Sequence, residues 1–395
     1  MRGVLCFHAM IALTAARLFA PPDLIEQPLL LLEDGKMIEA TSRSSRELPR
    51  CRTVALGDVM LAPAFVDLHI HGGAGHDVME SSDTALPAVE TLIARHGVGS
   101  YFPTTVTAPV EQILGALERL AAAIEMSERL PANDNLRARP LGIHLEGPFI
   151  SHLRRGVHPA ANLLPPTVTA FERFWQASRG RIRMMTIAPE LPGAIDVICE
   201  AARRGVLVSL GHSDADFETT RMAIEAGARH ATHTFNAMRP LAHRDPGIIG
   251  EVLTDPRLSA DIIVDGIHLD PAVVKVVLQM KGESATILIT DATAATGMPD
   301  GRYRLGSLEV EVTDGKCMAD GRLAGSVLTM DRAVRNVMQF GGWSLLQALR
   351  AAAPNPARVA KLRHAGTLQP GSWADIVVLG WDGEVRKTII QGRGV

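Results

Sequence analysis

Two histidines stand one residue apart in Asp67-Leu68-His69-Ile70-His71-Gly72-Gly73, at the end of an apolar run. If that run is a strand, alternation turns His69 and His71 to the same side. Two imidazoles on one face suit a divalent metal, and equally suit two hydrogen-bonded histidines at the rim of a barrel. Glu146 ends another apolar run, Gly142-Ile143-His144-Leu145-Glu146, just before a Gly-Pro break. A carboxylate buried there needs a cation or a set of N–H donors. His144 shares its alternation phase, which places it behind a ligand or in the core. Further runs end in Ser209-Leu210-Gly211-His212, in His230-Ala231-Thr232-His233, in Asp265-Gly266-Ile267-His268 and in Thr290-Asp291-Ala292. One such residue would be ordinary. Histidines, a glutamate and an aspartate at successive strand ends are hard to explain by packing. Together they predict a metal centre, because two imidazoles and one carboxylate with an open position are a donor set of catalytic zinc.

The elements that must position these residues alternate along the chain. Eight runs have strand character: LAPAFVDLHI, VGSYFPTTV, PLGIHLEG, RIRMMTIAP, GVLVSLGH, RHATHTFN, SADIIVDG and ATILITDA. Between most of them lie stretches with helical spacing of apolar residues, among them TALPAVETLIARHG, EQILGALERLAAAIEMSERL and DFETTRMAIEAGA. Eight strands with helical crossovers predict an α/β fold, a (β/α)8 TIM-like barrel. A doubly wound sheet is the alternative. Polar residues at the C-terminal ends of nearly every strand favour the barrel, whose active sites lie at that face. Both chain ends are β-rich, with turns at Asp34-Gly35 and Asp382-Gly383. They predict a small β-sandwich domain from residues 1–58 and 364–395, around a barrel at 59–363. The stretch YRLGSLEVEVTDGKCMADGRLAGS reads as a β-hairpin excursion turning at Asp314-Gly315, followed by helices at 328–340 and 343–353 and a short one in PNPARVAKLRH.

Composition narrows the functional classes. The 395 residues are 47% hydrophobic, enough for a large core, and 40 basic against 43 acidic residues leave a net charge of −3. That balance argues against a nucleic-acid or anionic-membrane partner, and aromatics at 4% argue against stacking grooves. Cys6, Cys51, Cys199 and Cys317 are scattered without metal-knuckle spacing. They are expected to be reduced and mostly buried. Arg2 followed by VLCFHAMIALTAARLFA is superficially like a signal peptide, but His8 and Arg17 interrupt it. TAARLFAPPD reads instead as a first strand ending in a proline turn. We expect a cytoplasmic chain starting at Met1 or Met10, with no transmembrane helix.

The motifs APAFVDLHIHGG, GIHLEGPFIS, LVSLGHSDAD, THTFNAMRP, DGIHLD, ITDATAATG and AGSVLTM resemble those of the amidohydrolase superfamily. Within it, the chain is similar to the N-acetylglucosamine-6-phosphate deacetylase family over residues 10–395. HLEGPF, GHS, FNAM and DGIH are the specific elements; HxH and TDA mark only the superfamily. The lack of a lysine in RIRMMTIAP departs from dihydroorotase- and hydantoinase-like relatives, which use a carbamylated lysine on that strand.

The resemblance implies hydrolysis of the acetamide of N-acetylglucosamine 6-phosphate to glucosamine 6-phosphate and acetate. It implies a principal divalent ion, zinc by expectation, held by Glu146, His212 and His233. His69 and His71 would hold a second ion, so one or two ions per subunit are implied. It gives Asp291 the role of base and then acid toward metal-activated water, and places His158 near the acetamide carbonyl. It assigns Asn236 and the Ala237 backbone to the sugar-phosphate loop, Arg244 and His268 to the phosphate, and a homodimer to the assembly. Three alternatives stand at this point. One is another amino sugar, such as N-acetylgalactosamine 6-phosphate. Another is a different cyclic-amide or amine hydrolase. The last is a non-catalytic barrel that serves as a binding protein.

Overall fold

The computed structural model describes residues 10–129 and 136–395. Cys6 and the first part of the signal-like run lie outside the described residues. From Ile11 onward that run forms strands, Ile11–Thr14 and Arg17–Ala20.

Eight parallel strands form the centre: β1 (Phe65–Ile70), β2 (Val98–Thr105), β3 (Ile143–Glu146), β4 (Ile182–Ile187), β5 (Leu207–Leu210), β6 (His230–Ala231), β7 (Ser259–Ile263) and β8 (Thr286–Ile289). Each pairs in parallel with the next. The ring closes beyond β8, where Ala292 bridges Ile70 and the Asp291 N–H donates to His69 O at 2.9 Å. Asp67 adds a side-chain tie across this seam, accepting from Thr290 Oγ1 at 2.6 Å. Every residue of β1, β2, β3 and β5 is buried. That matches strands covered by helices outside and by each other's side chains inside.

Helices α1 (Ala85–Arg95), α2 (Val110–Arg129), α3 (Val168–Ala177), α4 (Ala194–Arg203), α5 (Phe217–Ala226), α6 (Gly247–Thr254), α7 (Pro271–Ala285) and α8 (Met330–Gly341) follow the strands in turn. The reason they face inward is visible on α4. Ala194, Val197, Ile198 and Ala201 form its buried stripe at spacings of three and four. Each large aliphatic side chain so covered contributes about 1.5–3 kcal/mol. Cys199 falls on the opposite side of α4 and is exposed, while Cys51 is half-buried and Cys317 buried; all three are free thiols. The expectation of mostly buried cysteines therefore fails, because α4 turns position 199 to solvent. Local signals start the helices: Asp216 caps α5 through the Thr219 N–H, and Asp270 caps α7 ahead of Pro271. At the opposite barrel end, Lys281 Nζ donates to Val252 O and Asp255 O, satisfying carbonyls where α6 ends.

Both chain ends build the remaining sheets. Ile11–Thr14 lies with Pro28–Glu33, Lys36–Ser42 and Arg52–Ala55, while Arg17–Ala20 and Asp23–Glu26 join Met60–Pro63, Ile376–Leu379 and Val385–Ile389. Leu13, Leu30, Leu61, Ile376 and Ile389 form a shared apolar cluster. The turn at Asp34-Gly35 has φ of 52° and 74°, as a two-residue hairpin loop requires. The excursion after β8 is richer than a hairpin. It is a four-stranded antiparallel meander over Gly301–Leu305, Leu308–Thr313, Lys316–Ala319 and Arg322–Leu323. Two helices, α9 (Leu345–Ala352) and α10 (Pro354–Val359), lead back to the terminal sheets. No helix among the described residues is long and apolar enough to cross a membrane.

Candidate active site

Strand ends bring six side chains together. His69 lies on β1 with His71 just past it, and Glu146 is the last residue of β3. His212, His233 and Asp291 each sit two residues beyond the end of β5, β6 and β8. All six are buried. Glu146 stands between two groups. Its Oε1 is 3.1 Å from His233 Nε2 and 3.3 Å from His212 Nε2, and its Oε2 is 3.3 Å from His71 Nε2 and 3.4 Å from His69 Nε2. Asp291 Oδ1 joins the second group, 3.1 Å from His71 Nε2 and 3.4 Å from His69 Nε2. The potential donor atoms of Glu146, His212 and His233 lie within 4.8 Å of one another, as do those of His69, His71 and Asp291.

Backbone carbonyls set the tautomers. His71 Nδ1 faces Thr104 O at 3.0 Å, His212 Nδ1 faces Arg154 O at 2.9 Å, and His233 Nδ1 faces Asn236 O at 3.2 Å. A carbonyl only accepts, so each Nδ1 carries a proton and donates it. Each Nε2 is then free to present its lone pair inward. His212 and His233 bring these Nε2 atoms within 3.1 Å of each other, and His69 and His71 do the same. Facing lone pairs beside two buried carboxylates call for positive charge. Burial opposes charging His233, but Glu146 outweighs it and raises the imidazole to about 9. For His71, Asp291 and Glu146 likewise overcome burial and push it well above its usual value. Burial raises Glu146 too, yet the surrounding imidazoles bring it well below the carboxylate range. Such a donor set fits a divalent cation, which would take the place of those protons. His69 Nδ1, buried and without a hydrogen-bond partner, is one further polar atom of this cluster.

The backbone at these positions is unusual. His212, His233 and Asp291 all have positive φ, at 47°, 31° and 50°. Non-glycine residues seldom adopt this region, and where they do it is often at functional sites. It also explains why β6 is only two residues long where RHATHTFN predicts a full strand. Phe235 and Ala237 too have positive φ, at 80° and 51°, so the chain turns over the barrel mouth immediately after Ala231.

His158, from the loop after β3, is buried with its Nε2 3.8 Å from Glu146 Oε2. Its Nδ1 faces both the Thr107 N–H, at 3.3 Å, and the Thr107 hydroxyl, at 2.8 Å. Thr107, just past β2, is a residue that sequence reasoning missed; the threonine-rich end of FPTTVT is the one signal that could have found it. Gly147 makes this contact possible. Its φ is 71°, and a Cβ there would lie 2.2 Å from Thr107 Oγ1. His144 packs edge-on below His69, with Nε2 2.8 Å from Thr186 Oγ1. Burial holds it well below the usual histidine range, so it is a neutral support.

The residues expected at the phosphate make contacts of their own outside the donor cluster. His268 Nδ1 lies 2.7 Å from Asp265 Oδ2, which leaves Nε2 free. Arg244 is exposed at the tip of a loop closed by the Ala242–Asp245 bridge, and the single chain gives it no contact to His268. Asn236 spends its amide on His233 O at 3.3 Å, and Ala237 O accepts from the Ser213 N–H at 3.1 Å. A cavity of about 760 Å³, lined by Leu86, Glu90, Leu120, Met126, Leu136, Ile390 and others, shares no residue with this cluster.

The model of the amidohydrolase family matches residues 60–395. The chain belongs to the amidohydrolase family. A protein of Lysinibacillus sphaericus named N-acetylglucosamine-6-phosphate deacetylase is 38% identical over 335 residues, 84% of each chain. One of Escherichia coli O157:H7 named N-acetylgalactosamine-6-phosphate deacetylase is 38% identical over 336 residues, 85% of this chain and 87% of that one. Among solved structures, an alanine variant of N-acetyl-D-glucosamine-6-phosphate deacetylase from Mycobacterium smegmatis, in complex with N-acetyl-D-glucosamine-6-phosphate, superposes with a TM-score of 0.90. It is 34% identical, covering 98% of this chain and 99% of that one. Amidohydrolases are metal-dependent, in keeping with the donor clusters above.

Proposed function

We propose that this amidohydrolase removes the acetyl group of N-acetylglucosamine 6-phosphate, giving glucosamine 6-phosphate and acetate. The observation that carries the reading is the convergence of Glu146, His212 and His233, their donor atoms within 4.8 Å, in a chain related to deacetylases along most of its length. Glu146, His212 and His233 hold the principal ion, and His69 and His71, with Asp291 beside them, hold a second. Nitrogen and oxygen donors suit zinc, with iron, cobalt and manganese as competitors. When bound, the ion activates water and polarises the amide carbonyl.

The chain's own groups do the rest. Burial raises the Asp291 carboxyl, but His69 and His71 outweigh it and hold it near 2, so Asp291 is ionised before a proton from the water reaches it. Its carboxylate takes that proton as the water oxygen bonds to the acetyl carbon. It returns the proton to the sugar nitrogen as the C–N bond breaks, acting as base and then acid. His158 donates from Nε2 to the carbonyl oxygen as negative charge builds there. Arg244 and His268 bind the phosphate, Arg through paired hydrogen bonds, with Asp265 orienting His268. Asn236 and the Ala237 backbone border the sugar. The exposure of Arg244 supports a homodimer in which a phosphate contact crosses between protomers.

The galacto epimer is a second reading, favoured by the 38% identity to a relative so named. Acetate release from phosphorylated and free N-acetylglucosamine and N-acetylgalactosamine, with metal quantified on the same sample, tests the proposal. The expected result is preference for N-acetylglucosamine 6-phosphate, loss on chelation and recovery with zinc. No acetate from any of these sugars by metal-replete protein would overturn it.

A further inference from the structure

Beneath the cluster lies a set of polar residues that belongs to neither donor group. Asp261 and His230 are wholly buried and Ser259 nearly so, on β6 and β7. One Asp261 oxygen accepts the main-chain N–H of His233. The other lies 2.9 Å from His230 Nε2. His230 Nδ1 is 2.6 Å from Ser259 Oγ, which lies 3.2 Å from Arg229 O. Asp261 contributes its backbone as well, its carbonyl accepting the Thr234 N–H at 2.9 Å. A carboxylate without solvent must have donors on its oxygens, and these two are aimed in opposite directions. One reaches the chain at His233 and the other is anchored in the barrel wall.

His233 needs such a hold. Its φ is 31°, a conformation that a histidine keeps only when its surroundings impose it. Away from the donor cluster its ring is anchored through the 3.2 Å contact from Nδ1 to Asn236 O, within the same turn. Nothing on β6 itself fixes where Nε2 points, because regular pairing ends at Ala231.

We propose that Asp261, braced by His230 and Ser259, is a positioning residue that fixes the His233 backbone so that Nε2 meets His212 and Glu146 at a common ion. This rests on His233 being a ligand, as argued above. Support behind a ligand of this kind is typically worth about 10–100-fold in metal affinity. The contribution is geometric, so an isosteric amide should replace the carboxylate: its oxygen accepts the His233 N–H, and its NH2 donates to His230 Nε2 once the ring proton sits on Nδ1, where Ser259 Oγ accepts it.

The test uses full-length, metal-free protein titrated with cobalt(II). Affinity is read by chelator competition, geometry by the visible absorption of the bound ion, and turnover at rising metal concentration. Asp261→Ala should weaken cobalt binding about 10–100-fold, alter the absorption, and recover turnover as metal is raised. Asp261→Asn should stay within about threefold of wild type with the same absorption. If Asp261→Ala does not fold, Asp261→Ser takes its place, with the same expectation of weakened binding. Asp261→Ala or Asp261→Ser with wild-type cobalt affinity and absorption, even at lowered thermal stability, would overturn the proposal. So would a folded Asp261→Asn that loses more than tenfold. Wild-type protein that binds no cobalt would instead refute the reading of the cluster as a metal site.

Discussion

Replacing His158 by alanine removes one neutral donor from the barrel mouth, and the geometry sets the size of the loss. The Thr107 N–H can only donate, so His158 Nδ1 accepts it at 3.3 Å and the ring proton resides on Nε2. Burial, aided by the neighbouring His212, lowers this imidazole to about 3, so it is neutral throughout the working range. A fixed N–H directed at a developing oxyanion contributes about 3–4 kcal/mol in the transition state and little in the ground state. His158→Ala should therefore lower kcat by about 10²–10³-fold with little change in KM. Thr107→Val keeps the main-chain N–H but loses the hydroxyl 2.8 Å from Nδ1. One buried hydrogen bond of about 1 kcal/mol corresponds to about fivefold in kcat. Both substitutions act through one ring, so the double variant should be no slower than His158→Ala alone. The assay is the initial rate of acetate release on proteins of matched metal content. A His158→Ala enzyme within fivefold of wild type in kcat would refute the donor role, and fully additive losses would refute the link through Thr107.

Three further outcomes follow from the same geometry. Asp291→Asn should retain the ion of Glu146, His212 and His233 while turnover falls by roughly 10²–10⁴-fold; near-normal turnover would remove Asp291 from the proton path. Arg244→Ala should raise KM for the phosphorylated sugar by about 10–100-fold, the worth of a hydrogen bond to a charged group, and leave the unphosphorylated sugar almost unaffected. Equal effects on both would place Arg244 outside the phosphate site. Glu90 should make stability pH-dependent. Burial raises its carboxyl from 4.5 to about 7, against the opposing pull of Arg137 and Tyr101. The folded state thus keeps a proton that the unfolded chain releases above 4.5. Its stabilising effect is complete below pH 4.5 and is lost as pH rises through 7, a change of roughly 3 kcal/mol. Glu90→Gln should flatten urea-derived stability between pH 5 and 8, and an unchanged slope would show that Glu90 is not the titrating group.

Much of this arrangement was legible in the residues. HxH at a strand end read as two side chains on one face because alternation is a local property of extended backbone, and His69 and His71 do meet, Nε2 to Nε2, at 3.1 Å. The β-rich ends announced their turns through Asp-Gly pairs, since few residues tolerate positive φ. Other features left no such mark. The excursion after β8 needed two more strand pairings than a hairpin, and pairing partners are not encoded in local pattern. Cys199 could not be told from a core thiol until α4 had a direction. The expected phosphate pair, Arg244 and His268, shares no contact within one chain.

Residue type and spacing alone determined which side chains meet at the barrel mouth and on which barrel face they stand, because strand alternation and strand order follow from the covalent chain and its apolar pattern. Tertiary structure decided how those side chains are held. The Thr104, Arg154 and Asn236 carbonyls set the tautomers of three histidines, Thr107 turns the His158 proton toward the cluster, and Asp261 grips His233 from a neighbouring strand. Most of these supports come from residues distant in sequence that carry no motif of their own. A hydrogen bond depends on the last ångström of packing, which only the closed barrel sets.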